Sequence, residues 1–303
     1  MRTILVPTDF SENSAHAAKA AVFLSSKLHT NILLFNNYVK VPVTLHYAGG
    51  PWVVDELMAL KSETKENLQN LKDDLESLIA DLESEQAKPF VHVQFADGNL
   101  GDNIAAIIHD KDIELMVIGA RSGSTIDHIL NGSETNLIID QSNCPVFIIP
   151  ENVDLKELKK VIFATDFGET DMKAINYLVK LSYLINFRIE VVHVNSSKSS
   201  TVKSEQQLAF EDRLFKLNYP NITYKQVFGK NVIHRLNSLC TETDADILAL
   251  VHHHRSPIGR ILKQSTSKKA LSQQKIPLII FPSIVNGNIK WDHYKRSKVM
   301  QSN

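Results

Sequence analysis

With 303 residues, the chain is long enough for two domains of ordinary size, each with its own core. An apolar fraction of 43% and a charged fraction of 22% are typical of folded proteins and exclude a disordered chain. The 33 basic and 34 acidic side chains leave a net charge of −1, which argues against a nucleic acid or an anionic membrane as a partner.

The hydropathy of the chain argues against secretion and against a membrane span. Asp9 interrupts the N-terminal stretch after about five apolar residues, too few for a signal peptide, and no run approaches the roughly 18 apolar residues of a membrane helix. Cys144 and Cys240 lie far apart in apolar stretches, which predicts two structural thiols in a reducing compartment. We therefore expect a cytoplasmic protein.

Strands and helices alternate through the first half of the sequence. The predicted elements, in chain order, are a strand from Ile4 into Thr8-Asp9-Phe10, a helix over Ala15–Leu28, a strand over Ile32–Phe35, a helix from Asp55 to about Gln86, a strand over Phe90–Phe95, a helix over Ile104–His109, a strand over Leu115–Ile118, a helix over Glu134–Asp140 and a strand over Cys144–Pro150. Nearly continuous apolar strands between helices predict a parallel sheet that is covered on both faces.

The helix from Asp55 to about Gln86 carries one apolar stripe on an otherwise charged surface. Its members recur every three or four residues and are Leu68, Leu71, Leu75, Leu78 and Leu82. A coiled coil is one interpretation of this spacing, but the stripe covers fewer than about three heptads. We therefore predict a surface helix that covers a sheet.

The second half of the sequence repeats the first. ILVPTDFSENS at 4–14 returns as VIFATDFGETD at 161–171, and CPVFIIP at 144–150 is matched by IPLIIFP at 276–282. The intervening strands also have counterparts, at Ile189–Val194, Ile222–Val227 and Ile247–Val251. The sequence thus predicts two tandem, doubly wound, Rossmann-like α/β domains with five parallel strands each, over 1–150 and 158–283. Glu151–Lys160 is the predicted linker, and 284–303 is a polar tail.

Ligands of an open parallel sheet bind beyond the carboxyl ends of its strands, where the strand order reverses. In the first half, these ends carry Thr8-Asp9, Asn36-Asn37, Ala96-Asp97-Gly98 and Gly119-Ala120-Arg121-Ser122. After the last group, small residues return at Gly132-Ser133, just before a predicted helix. Glycines let backbone N–H groups approach an anion, and the helix N-terminus adds partial positive charge. The pattern is that of a phosphate site without a lysine.

Each of these features also has a purely structural interpretation. Gly132-Ser133 before a helix is an ordinary N-cap, in which the serine hydroxyl satisfies a backbone donor. Asp9 and Ser11 are equally suited to capping the first helix. Spacing alone leaves both interpretations open.

Three features of the sequence together resemble the universal stress protein family in its tandem form, over almost the whole chain to about Pro282. Pro7-Thr8-Asp9-Phe10-Ser11 is similar to the family's first-strand motif, and Cys144-Pro145-Val146 to its last-strand motif. The segment from Gly119 is similar to its nucleotide signature, with Gly119, Gly132 and Ser133 in register and Ser122 in place of the second glycine. The resemblance implies an adenine nucleotide alpha hydrolase-like fold and a pseudo-dimer within the chain, paired through Val146–Ile149 and Leu278–Phe281.

The resemblance also implies ATP or another adenine nucleotide in the first half only, with Mg²⁺ as its companion ion. Asp9 would lie near the ribose, the backbone of Asn36 near the adenine, and Gly132-Ser133 on the phosphates. The implied site residues are Pro7, Thr8, Asp9, Asn36, Ile118, Gly119, Arg121, Ser122, Gly132, Ser133, Glu134 and Thr135.

The second half departs from the nucleotide signature. Val251 stands for Gly119, His254 for Ser122, and Gln264-Ser265 for Gly132-Ser133, although Asp166 persists. We predict no phosphate site there. The run His252–His254 lacks nearby cysteine or carboxylate partners, which favours a polar loop over a metal site. An anion held by His254, Arg255 and Arg260 is the alternative.

The leading functional hypothesis is a cytoplasmic stress-response protein that binds ATP and acts through conformation or association. No Walker motif, nucleophile elbow or metal-ligand spacing occurs in the sequence, so we expect no dedicated catalysis beyond slow ATP hydrolysis. The alternative is a nucleotide-free scaffold that presents its surface to a protein partner. Both hypotheses are compatible with further association into a homodimer.

Overall fold

Ten strands and six helices make up the described part of the chain. The computed structural model describes residues 2–38, 51–83, 88–120, 138–139, 142–151, 153, 155, 157–195, 204–252 and 276–282, with only the backbone described over 51–57. The first half contains β1 (Thr3–Pro7), α1 (Glu12–Leu28), β2 (Asn31–Tyr38), α2 (Pro51–Ala80), β3 (Val91–Asp97), α3 (Leu100–Asp110), β4 (Ile113–Gly119) and β5 (Val146–Ile149). The second contains β6 (Lys160–Ala164), α4 (Glu169–Ile185), β7 (Arg188–Asn195), α5 (Glu205–Lys216), β8 (Ile222–Phe228), α6 (Val232–Glu242), β9 (Ile247–His252) and β10 (Leu278–Pro282).

All ten strands belong to one sheet, in the order β3-β2-β1-β4-β5-β10-β9-β6-β7-β8. Within each half every pairing is parallel. The halves meet where β5 and β10 pair antiparallel, with Phe147 opposite Ile279. The expected pairing through the last strands is therefore confirmed, and each half has the predicted five-stranded, doubly wound topology.

The eight inner strands are buried on both faces, as their nearly continuous apolar sequences predict, whereas the edge strands β3 and β8 are mostly exposed or half-buried, contrary to that expectation. One core layer packs β-strand side chains against α1, α2, α4 and α5, and the other packs them against α3 and α6. Both layers run through both halves. Cys144 and Cys240 are buried in the second layer as free thiols, in agreement with a structural role, and burial raises the pKa of Cys240 to about 12.

Short polar side chains set the starts of four helices. Ser11, Asn99, Ser204 and Asn231 each accept a hydrogen bond from the backbone N–H three residues ahead. Such caps satisfy one of the backbone donors that a helix start leaves unpaired. The capping interpretation of Ser11 is therefore confirmed.

The long helix α2 packs against α1 and the sheet, as predicted for a surface helix, but three details of the prediction are wrong. The helix begins at Pro51 rather than at Asp55. Leu78 is 39% exposed, and Ile79 is buried in its place. A step of four residues from Leu75 keeps Ile79 on the buried face, since the helix repeats every 3.6 residues. The helix also ends at Ala80, where the Lys88 ammonium donates to the Ala80 carbonyl at 3.1 Å.

The described residues cover two further predicted segments in part. Lys160, the last residue of the predicted linker, begins β6. Of the helix predicted over Glu134–Asp140, only Ile138 and Ile139 are described, and both are helical. The rest of that segment and the tail lie outside the described residues.

Gly119 lets β4 approach the start of α1 closely. A Cβ atom on Gly119 would lie 2.4 Å from the carbonyl oxygen of Asn13 and 3.0 Å from the amide nitrogen of Ser14. No real Cβ tolerates such distances to backbone, so only glycine permits this packing. The N-terminus of α1 is thereby held beside the carboxyl end of β4.

We expect Phe147→Ala to lower the free energy of unfolding by about 3–5 kcal/mol, because it empties a fully buried site where the halves meet. Phe215→Ala is the matched control, since Phe215 is 85% exposed against 1% for Phe147; it should change stability by less than about 0.5 kcal/mol. Urea denaturation measures both. Equal effects of the two variants would contradict the packing described here.

We expect Gly119→Ala to destabilise the protein by about 1–3 kcal/mol, the usual cost of forcing extra atoms into a packed site, and Gly119→Val by more. Thermal and urea unfolding measure the series. A neutral Gly119→Ala would show that α1 and β4 are not in this close contact.

Candidate functional site

The strand order reverses once in each half, and this places a crevice at each reversal. In the first half the reversal lies between β1 and β4, and in the second between β6 and β9. Ligands of open α/β sheets bind at such points. Thr8-Asp9 and Gly119-Ala120 therefore flank the candidate site of the first half, and Thr165-Asp166 and His252 flank its counterpart.

A tight turn follows β1 and shapes the first crevice. Phe10 adopts a left-handed backbone with φ of 63°, which is costly for a bulky side chain. The buried Thr8 hydroxyl holds this turn, since its Oγ1 accepts from the Phe10 N–H at 3.1 Å. The Thr8 amide in turn donates to the Phe35 carbonyl at the end of β2.

Asp9 supports the helix cap while remaining exposed at the crevice. Its Oδ1 accepts from the Ser11 hydroxyl at 2.6 Å and from the Ser11 N–H at 3.1 Å. Partial burial alone would raise the pKa of Asp9, but these hydrogen bonds outweigh it, and the pKa lies below its ordinary value. Asp9 is thus an ionised acceptor beside the N-terminus of α1. It accepts from Ser11, the N-cap residue, and its carboxylate remains exposed to solvent.

Asparagine side chains join the ends of the neighbouring strands. The buried Asn36 donates through Nδ2 to the Thr8 carbonyl at 2.8 Å. Asn103 at the start of α3 donates to Asn37 Oδ1 at 2.6 Å and to the Asp97 carbonyl at 2.8 Å. Sequence reasoning included Asn37 and Asp97 among the strand ends but missed Asn103, because its partner lies 66 positions away.

The described part of the predicted site comprises Pro7, Thr8, Asp9, Asn36, Ile118 and Gly119. The structure gathers these residues at the ends of β1, β2 and β4. The side chain of Ile118 lies in a core layer, so only its backbone borders the crevice. The remaining six residues, Arg121, Ser122, Gly132, Ser133, Glu134 and Thr135, lie outside the described residues.

The second crevice keeps the turn but replaces its polar support. Phe167 has φ of 67°, and Thr165 Oγ1 accepts from its N–H at 3.0 Å, as in the first half. Asp171, only 1% exposed, stands where the first half has Ser14. Its Oδ2 accepts from the Thr165 hydroxyl at 2.6 Å and from the Asp166 and Gly168 N–H groups. The Asp171 carboxylate therefore stabilises the turn that follows β6.

An aromatic stack also lies beside the second turn. His193 occupies the position of Asn36 and reproduces its hydrogen bond, with Nδ1 donating to the Thr165 carbonyl at 2.9 Å. The His193 ring stacks on Phe167 at 4.2 Å, and Phe167 meets Phe210 at 5.5 Å. Sequence reasoning missed His193. Extending the alignment of the two repeats to β7 would have matched it with Asn36.

Among the described residues, no set of three or more histidine, cysteine or carboxylate side chains is placed to hold a metal ion. Asp9 and the start of α1 instead offer an acceptor and backbone donors, a combination suited to binding. Among the described helices, none is long and apolar enough to cross a membrane.

Comparisons with known proteins point to one family. The model of the universal stress protein family matches residues 1–150 and again 157–282. Universal stress protein MJ0531 of Methanocaldococcus jannaschii is 26% identical over 149 residues, which cover 49% of this chain and 81% of that protein. Universal stress protein MJ0577 of the same organism is 28% identical over 161 residues, covering 49% of this chain and 94% of its own.

Solved structures show the same fold over almost the full length. A universal stress protein from Archaeoglobus fulgidus superposes with a TM-score of 0.66 at 18% identity, covering 92% of this chain and 96% of that one. Protein PA1789 from Pseudomonas aeruginosa, described as functionally unknown, reaches 0.57 at 13% identity, covering 93% and 92%. Since the family model matches twice and spans most of the sequence, the chain belongs to the universal stress protein family and carries two of its domains in tandem.

Proposed function

We propose that the chain is a cytoplasmic stress-response protein that binds ATP or a related adenine nucleotide, with Mg²⁺, in the first-half crevice. The observation that carries this proposal is the pairing of an exposed, ionised Asp9 with a helix N-terminus at the point where the strand order reverses. Such a point is where open α/β sheets take their ligands.

Each feature of the crevice suits one part of a nucleotide. The Asp9 carboxylate is an acceptor for ribose hydroxyl groups, and the end of β2 at Asn36 offers backbone groups to a base. The N-terminus of α1, held close by Gly119, adds partial positive charge toward phosphates. The signature that includes Gly132 and Ser133 would supply the remaining phosphate contacts.

The second half is proposed to take no nucleotide. Val251 occupies the position that Gly119 has in the first half. Its Cβ atom excludes the close approach that Gly119 allows between α1 and β4. The stacked rings of His193 and Phe167 add bulk at the place corresponding to Asn36. We therefore expect one nucleotide per chain.

The proposed action is a change of conformation or association on binding. Bound nucleotide would stabilise the first-half crevice, and the core shared by both halves would carry that stabilisation to the pairing of β5 and β10. No catalytic step is assigned to the described residues.

Calorimetric titration of ATP and Mg²⁺ into nucleotide-stripped protein should give one site per chain. Asp9→Asn should weaken binding about tenfold, because a charged acceptor is lost while the amide oxygen still accepts from Ser11. Asp166→Asn, the same change at the matching position of the second half, should leave the affinity within about twofold.

Two results would contradict the proposal. Equal weakening by Asp9→Asn and Asp166→Asn would show that binding is not confined to the first half. No binding by well-folded protein would leave the nucleotide-free scaffold as the better account of the chain.

A further inference from the structure

A cavity of about 360 Å³ lies at the amino-terminal ends of β6 and β7, beside the loop that precedes β8. It is at the opposite end of these strands from the second-half crevice. Its polar lining consists of Lys160, Arg188, Glu190, Asn221 and Thr223. All residues that line the cavity belong to the described part of the chain.

The buried side chains of Lys160 and Glu190 form the floor of this cavity and belong to an ion cluster. Lys160 and Lys225 each donate from Nζ to Glu190, at Oε2 and Oε1 respectively. The side chains of Lys160 and Glu190 are only 8% and 12% exposed. Burial alone would raise the pKa of Glu190, but the hydrogen bonds from the two lysines outweigh it and hold the pKa below its ordinary value. Glu190 is therefore ionised, with both oxygens engaged.

The cavity consequently presents more donors than acceptors. Lys160 retains donor capacity after binding one oxygen of Glu190, whereas Lys225 is 37% exposed and lies outside the cavity lining. Arg188 lies exposed at the rim and forms no ion pair with any described residue. Asp246 is at the same end of the sheet, but its Oδ2 accepts from the backbone N–H groups of Lys159 and Lys160. The charge facing the cavity is positive.

The first half shows that the fold does not require this cluster. By strand register, Thr3 matches Lys160, Leu33 matches Glu190, and Gln94 matches Lys225. The same sheet positions are thus filled without any charge in the other copy of the domain. Burying the charges of Lys160 and Glu190 there carries a desolvation cost that neutral residues avoid. A ligand-binding role accounts for that cost.

We propose that this cavity binds the phosphate group of a small phosphorylated molecule, independently of the nucleotide in the first half. Arg188 supplies a planar pair of donors suited to phosphate oxygens, and Lys160 supplies a point charge behind it. The volume is at the lower end of the range for small-molecule sites, which suits a phosphate on a small carrier.

Inorganic phosphate, titrated into the full chain at constant ionic strength against chloride, tests the proposal by backbone amide NMR. Saturable shifts are expected at Arg188, Asn221 and Thr223. Arg188→Gln should weaken binding at least tenfold, while Arg213→Gln, the same charge change at an exposed position of α5, should leave it within twofold.

A second variant tests the floor of the cavity. Lys160→Thr, Glu190→Leu and Lys225→Gln together install the residues of the first half, and this variant should fold and lose the phosphate shifts. Undiminished phosphate binding by this folded variant or by Arg188→Gln, or no saturable shift at the three amides of the original chain, would overturn the proposal. Phosphate held in the first-half crevice would survive both variants and is distinguished in this way from the proposed site.

Discussion

The antiparallel pairing of β5 with β10 is the constraint on which the rest of the architecture depends. It joins two five-stranded parallel sheets into one and lets each core layer continue through both halves. It also reverses the strand direction between the halves. The two crevices therefore open at opposite ends of the strands. The basic cavity of the second half lies at the same end of the strands as the first-half crevice.

The two halves share one fold but surround the same turn with different residues. Both halves keep the Thr-Asp-Phe turn with its left-handed phenylalanine, because the strand, the turn and the helix start depend on it. Around that turn the first half retains Gly119 and an exposed Asp9, whereas the second has a buried Asp171 and an aromatic stack. The second half carries its charge cluster at the other end of its strands.

The strand pattern and the two repeats were readable from sequence because buried parallel strands are almost uniformly apolar. Capping by Ser11 was one of two interpretations that the spacing left open. Sequence could not show that Asp9 supports the cap and also stays exposed, since that depends on side-chain geometry. Leu78 was predicted to be buried, but the structure buries Ile79 instead. Adjacent residues of a helix point in different directions, so a shift of one position decides which side chain faces the core. The Lys160, Glu190 and Lys225 cluster needed the register of three strands that are distant in sequence.

The central claim is that the nucleotide belongs to the first half alone. A crystal structure of the full chain grown with ATP and Mg²⁺ tests it most directly. The account predicts nucleotide density between the ends of β1 and β4, with a ribose hydroxyl on Asp9, and a crevice between β6 and β9 still occupied by the stack of His193 on Phe167. Nucleotide in the second crevice, or bound in the first half away from Asp9, would contradict it.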